Sequence, residues 1–297
     1  MGAGAIGATV AWHLARAGHD VGVVDVRADH LEVIARDGLV AEPFGEAVRV
    51  DVEPSGPVEL ALVATKTYAT EAAARGAARL VGADTLVGTI QNGIGSEDVL
   101  ARVFSPEQVL AGTTTIAAEA AAPGRVQVEQ STRDGTTLTV LGCPLTAPEL
   151  LPRVERICAA LSEAGLPGRA VVDPRPARWH KLALAGSMGP LAGLLATTVG
   201  GALETAPEVL FALLDEIVAV ARAEGVDLDP RRMREEALAV YAVTGDHRTS
   251  LAVDLAEGRR TEIDAMCLEV ARRGAAHGVP TPVNEVVGRL VSAMERR

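Results

Sequence analysis

Three glycines at the chain's start constrain its fold more than any other feature. The sequence opens Met1-Gly2-Ala3-Gly4-Ala5-Ile6-Gly7 and continues into an apolar helical stretch, Ala8 to Ala17. In this Gly-x-Gly-x-x-Gly spacing each glycine has a separate task. Gly2 permits a tight turn, Gly4 lets the backbone approach a pyrophosphate, and Gly7 lets a helix lie close on a sheet. The following helix, beginning around Ala5 and Ile6, would turn its N–H groups and positive dipole end toward the phosphates.

The context supports a dinucleotide site. Val21-Gly22-Val23-Val24 reads as a second strand, with Asp25 at its end. An acid about twenty residues past the glycine turn is placed to accept a ribose 2′-hydroxyl and to repel a 2′-phosphate. Asp25 therefore favours NAD over NADP, whereas Arg27 would suit a 2′-phosphate or stack on adenine. A parallel sheet of this kind needs an apolar strand before Gly2, and only Met1 stands there. The expectation is that the natural protein starts several residues upstream of Met1.

Short apolar runs alternate with helical stretches through the first half, the sign of a parallel sheet. Leu60–Ala64, Leu86–Ile90 and Val109–Thr115 read as strands. Lys66 and Asn92 follow the first two at the carboxyl ends, where open α/β sheets bind ligands. Arg125–Glu129 and Thr137–Gly142 read as an antiparallel hairpin across Asp134-Gly135. Pro148 to Gly165 reads as helix and Ala170–Val172 as a last strand. Asp173-Pro174-Arg175-Pro176 marks a boundary, beyond which helical periodicity takes over. The expected organisation is α/β: a doubly wound, Rossmann-type domain over 1–173, then an all-helical domain over 174–297 for substrate and dimerisation.

Composition limits the partners. The 297 residues are 48% hydrophobic and 23% charged, as in an ordinary globular protein. A net charge of −11 opposes nucleic-acid binding, which needs a basic surface. Cys143, Cys158 and Cys267 are scattered, no signal peptide is visible, and a reducing, cytoplasmic setting fits. Leu182–Leu203 lacks charge but is broken by glycines and Pro190, so it reads as a buried helix and turn rather than a membrane span. Its small residues suit close packing within one chain or between two copies in a homodimer. The six histidines show no metal-ligand spacing, so no metal is expected.

Lys181 heads this uncharged run. Such a lysine either snorkels at a helix end or is held in a cleft by a carboxylate. With Thr65-Lys66-Thr67, Gln91-Asn92-Gly93-Ile94-Gly95, Trp179-His180-Lys181-Leu182, Ser250, Asp254 and Thr261-Glu262-Ile263-Asp264 in order, the chain resembles the ketopantoate reductase (2-dehydropantoate 2-reductase) family over nearly its whole length. The resemblance implies a helical domain like the C-terminal domain of 6-phosphogluconate dehydrogenase, and reduction of a 2-oxo acid by NADH or NADPH. It implies Lys181 as general acid, Glu262 as its partner, Ser250 as a substrate contact, and Lys66 and Asn92 on the cofactor side.

Three departures from the family pattern point to a different substrate. Asparagines expected four and eight residues after the lysine are Ala185 and Gly189, and one expected five after the glutamate is Cys267. A site that loses hydrogen-bonding partners for a polar substrate loses it as a good substrate. The expectation is a bulkier or less polar small-molecule carbonyl compound. An imine, in an opine-like reduction, is the alternative, as is a catalytically silent nicotinamide-binding protein.

Overall fold

The computed structural model describes residues 1–296. The chain divides into two compact units. The first comprises Met1–Gln91 and Ser96–Pro174. The second comprises Asn92–Gly95 and the chain from Arg175 onward.

In the first unit the elements begin with α1 (Ala5–Arg16), α2 (Ala28–Asp37), β1 (Leu39–Glu42), β2 (Ala47–Val48), β3 (Leu60–Val63), α3 (Thr70–Gly76) and β4 (Leu86–Thr89). They continue with α4 (Ser96–Ala101), β5 (Val109–Thr114), β6 (Ala118–Ala122), β7 (Arg125–Val128), α5 (Gln130–Arg133), β8 (Thr139–Gly142), α6 (Leu151–Glu163) and β9 (Gly168–Val171). One sheet has the order β3-β4-β5-β8-β9, parallel except where β5 meets β8. β4, β5 and β8 are buried along their whole length, as continuous apolar strands between helical layers should be.

Backbone bonds extend this sheet beyond β3. Met1 donates to Leu62 O at 2.8 Å and Ala64 donates to Met1 O at 2.8 Å. On its other side Gly2 donates to Val24 O at 2.7 Å, and Val23 donates to Asp51 O at 2.8 Å. The spatial order from Asp51 through Val21–Val24 and Met1-Gly2 to β3, β4 and β5 is that of a doubly wound dinucleotide fold. Met1 and Gly2 hold its middle place. The run Val21–Val24, read as a strand, is extended but carries only an isolated bridge, Gly22 to Asp51.

The glycine-rich turn lies where this order reverses. A Cβ on Gly7 would stand 1.9 Å from Gly2 O, and Gly2 itself has φ +85° with Thr65 backbone 2.8 Å from where its Cβ would be. No other residue satisfies both close approaches.

The expected hairpin of Arg125–Glu129 with Thr137–Gly142 does not form. β7 pairs antiparallel with β6 and parallel with β1, in a separate sheet of order β2-β1-β7-β6, while β8 joins the larger sheet. The cause is burial. β7 alternates buried and exposed positions, so it fits a sheet with one wet face, whereas β8 is buried at every position. The short helix α5 carries the chain from one sheet to the other.

The second unit is helical: α7 (Arg175–Leu194), α8 (Val199–Thr205), α9 (Pro207–Ala223), α10 (Pro230–Val243), α11 (Ser250–Ala256), α12 (Cys267–His277) and α13 (Pro282–Met294). Its core joins Trp179, Leu182 and Leu191 of α7 to Leu213, Leu214 and Ile217 of α9, among others. Among the described residues no single helix is long and apolar enough to cross a membrane. α7 and α8 meet both conditions only together, as a pair bent by 81°.

Candidate active site

The second unit carries the lysine cluster. Lys181 lies in the second turn of α7, and its Nζ donates to Asn92 Oδ1 at 2.8 Å. Asn92 Nδ2 in turn donates to Glu262 Oε2 at 3.2 Å. One amide thus lies between the ammonium and the carboxylate, its acceptor end toward the cation and its donor end toward the anion.

Asn92 reaches this position because its own segment belongs to the helical unit. Gly93 has φ +76°, and the position of a Cβ there is 2.1 Å from Ala265 O. The backbone therefore lies directly on the turn that follows Glu262. Ile94 N–H donates to Ala265 O at 3.0 Å, and Arg178 Nη2 donates to Gly93 O at 3.3 Å. From the other side, Thr261 N–H donates at 2.8 Å to Oε1 of Glu295, just beyond α13, and the Thr261 hydroxyl bonds the same oxygen. Glu262, only 6% exposed, is fixed between these two supports.

Burial around the ammonium lowers the Lys181 pKa from 10.5 to about 8, and the Glu262 charge opposes the fall. The side chain keeps part of its surface accessible. A lysine with these properties is charged at neutral pH yet releases its proton readily, which suits a general acid. The resemblance implies Glu262 as the partner of Lys181 and Asn92 on the cofactor side. The structure places Asn92 between the lysine and the glutamate.

The other residues expected in the substrate site separate into two groups. Ser250 is exposed, at the first position of α11, behind the capping Thr249. A Cβ on Gly189 would lie 3.7 Å from Leu251 Cβ and 3.9 Å from Thr249 Oγ1, so this end of α11 passes α7 there. Gly189 is eight positions from Lys181, about 12 Å along a helix. Ala185, between them in sequence and on the same face, is partly exposed. Cys267 is different. It is 0% exposed, and its Sγ–H donates to Gly186 O at 3.6 Å. Pro190 has no N–H for that carbonyl, and the thiol partly replaces it. Cys267 is thus a core residue.

The first unit carries the glycine loop. α1 begins after Gly4 with no side-chain cap and no acid in its first turn, and a Cβ on Gly4 would meet nothing within 4 Å. Helix end and open approach together fit a pyrophosphate, with Gly2, Gly4, Ala5, Ile6 and Gly7 as its cradle. Lys66 follows β3 beside Thr65, which packs against Gly2. This turn is fixed by buried Gln91, whose Nε2 donates to Thr65 O at 2.6 Å and to Thr70 Oγ1 at 3.0 Å.

Asp25 does not stand as a free ribose acceptor. Its carboxylate accepts from Ala3 N–H at 2.8 Å, from Arg27 N–H at 3.0 Å and from Arg27 Nε at 3.0 Å. Its side chain is 7% exposed, against 43% for Arg27. Burial works to raise the Asp25 pKa, but its hydrogen bonds to Arg27 and Ala3 outweigh that and leave it lowered. The acid therefore braces the loop and neutralises Arg27, while the guanidinium offers the exposed surface.

Comparison with known proteins places the whole chain in one family. The family described as "Ketopantoate reductase PanE/ApbA" matches residues 1–140, and its C-terminal counterpart matches residues 173–295. A 2-dehydropantoate 2-reductase of Caulobacter vibrioides is 33% identical, over 99% of this chain and 97% of that protein. One from Halobacterium salinarum is 31% identical, over 100% of this chain and 98% of its own. Among solved structures, a D-mandelate dehydrogenase in complex with NADH and anilino(oxo)acetate superimposes with a TM-score of 0.91. It is 26% identical and covers 99% of this chain and 97% of that one.

Proposed function

The chain belongs to the ketopantoate reductase family and is an NAD(P)H-dependent oxidoreductase of that kind, and on this footing we propose that it reduces a 2-oxo acid with Lys181 as general acid. The observation that carries the reading is the Lys181–Asn92–Glu262 series with its lysine pKa near 8. A nicotinamide cofactor, when bound, supplies the hydride to the carbonyl carbon. Negative charge then develops on the carbonyl oxygen. Lys181 stabilises that charge and transfers its proton to the oxygen. Glu262 keeps the lysine protonated against the cost of its burial, and Asn92 orients the ammonium. Ser250 and the start of α11 would hold the carboxylate end of the substrate. Gly2, Gly4, Ala5, Ile6, Gly7 and Lys66 would hold the dinucleotide.

The substrate class follows from the Lys181 face of α7. Ala185 and Gly189 leave it small and without hydrogen-bonding side chains. A structural relative acts on mandelate, a 2-hydroxy acid with an aromatic substituent. Together these favour a 2-oxo acid with an apolar or aromatic substituent over ketopantoate. For the cofactor, the neutralised Asp25 and the exposed Arg27 favour NADPH over NADH, reversing the preference read from Asp25 alone. The test is kcat/KM for phenylglyoxylate, branched aliphatic 2-oxo acids and ketopantoate with each cofactor. The apolar acids are expected to exceed ketopantoate by at least about tenfold. Ketopantoate as the best substrate would overturn the substrate class, and no turnover of any oxo acid would overturn the reductase reading.

A further inference from the structure

We propose that Glu295 is a positioning residue for the reduction: its carboxylate holds Thr261 and thereby sets Glu262, the next residue, against Asn92 and Lys181. The bonds form a continuous series. Glu295 Oε1 accepts from Thr261 N–H at 2.8 Å and from the Thr261 hydroxyl. A hydroxyl has one proton, so a proton directed at Glu295 leaves its lone pairs for another donor. Ile263 N–H takes that place, at 3.2 Å. Glu262 is therefore held on both sides along the chain, by an amide that Glu295 binds and by an amide on the hydroxyl that Glu295 orients. The turn then closes with Ala265 N–H on Glu262 O at 3.0 Å, and Ala265 O receives Ile94 N–H at 3.0 Å. Two positions before Ile94 stands Asn92, whose amide meets both Glu262 and Lys181.

Glu295 is brought to Thr261 by α13, a helix fixed along its length. At its start Glu216 of α9 accepts from Val283 N–H at 2.9 Å and from Asn284 N–H at 2.8 Å, amides that a helix end leaves open. In its middle a Cβ on Gly288 would stand 2.6 Å from the Leu268 side chain and 3.2 Å from Cys267 Cβ, so α13 lies directly on α12 there. At its end Glu295 N–H still bonds Val291 O, at 3.1 Å. The carboxylate thus comes from a braced element, as a support for a reacting group should. Thr261 is 1% exposed, so without Glu295 its N–H loses its acceptor away from bulk water. The turn must then shift to find another, and Glu262 moves with it. Glu262 is the charge that raises the Lys181 pKa, so its displacement is felt at the ammonium.

This inference rests on Lys181 as general acid, and the pH profile of kcat in the wild-type chain separates the two. Without an alkaline limb near pH 8 the acid reading falls and the proposal with it. A limb that is present in wild type but unmoved in Glu295→Ala overturns the proposal alone. The variants are Glu295→Ala, which removes the acceptor, and Glu295→Gln, which keeps an oxygen in its place. The assay uses saturating NADPH and the 2-oxo acid of the panel above that is turned over best. Glu295→Ala is expected to lower kcat about tenfold and to move the limb to lower pH by about half a unit, the direction expected for loss of Glu262. Glu295→Gln should keep kcat within about threefold and leave the limb in place. Cofactor Kd should stay within about twofold of wild type in both. A structural role alone would lower the unfolding temperature of Glu295→Ala without moving the limb. Wild-type kcat in Glu295→Ala, or an equal loss in both variants, likewise overturns the proposal. Should Glu295→Ala not fold, Glu295→Asp decides. It keeps the charge and withdraws the oxygens by one methylene, so kcat should fall and the limb move as for Glu295→Ala; wild-type kcat in Glu295→Asp overturns the proposal.

Discussion

Lys181 Nζ and Asn92 Oδ1 are 2.8 Å apart although 89 positions separate them in sequence. This bond, with Glu262 on the far side of the amide, keeps a desolvated lysine charged. Its consequence is a pH limb. The lysine pKa is lowered to about 8, so with Lys181 as the proposed general acid, reduction should be present below that value and lost as pH rises through it. The Glu262 charge raises the lysine pKa, so Glu262→Gln should move the limb to lower pH, by about one unit. The measurement is kcat for reduction against pH in wild type and variant; a limb that stays in place would show that the carboxylate does not act on the lysine.

Gly93→Ala should be costly out of proportion to its size. The added methyl meets Ala265 O, and the residue must still adopt φ +76°. Strain of this kind costs on the order of 1–3 kcal/mol, or forces the loop off Ala265 and takes Asn92 with it. Thermal unfolding and kcat together check this: a fall in both is expected, with cofactor affinity preserved.

Cys267→Ala should affect stability alone. It removes the thiol that donates to Gly186 O, a carbonyl to which Pro190 can offer no N–H. The expected cost is about 1–2 kcal/mol in denaturant unfolding, with the oxo-acid KM within about twofold of wild type. A tenfold change in that KM would return Cys267 to the substrate site.

Arg27→Ala should separate the two cofactors. Loss of an exposed guanidinium that meets a 2′-phosphate raises the NADPH KM about tenfold or more and leaves NADH within about threefold. Equal effects on both would show that Arg27 acts only through Asp25 and the loop.

Much of this was legible in the residues themselves. The glycine spacing located the turn, because Gly2 and Gly7 are required by contacts within a few residues of each other and of one strand. β3, β4 and β5 were legible as continuous apolar runs, and α9, α10 and α13 as periodic ones. What escaped depends on contacts between distant backbone segments. β6 is an alanine-rich stretch with no strand propensity, and it is extended only because β7 pairs with it. Asn92 joins the helical unit through Gly93 and Ala265 O, a backbone contact that no side-chain pattern records. Asp25 carried the right residue type for ribose recognition; only its partners Ala3 and Arg27 reveal that its oxygens are already engaged. The family pattern singled out Lys181 and Glu262, which the structure joins through Asn92, but it could not say that position 267 lies in the core.

The most direct measurement is the rate of oxo-acid-dependent NADPH oxidation in Lys181→Ala beside wild type, at saturating cofactor and with cofactor affinity measured in parallel. The account predicts a loss of about 10²- to 10⁴-fold in kcat with cofactor affinity essentially unchanged. A variant that turns over at a rate near wild type would contradict it.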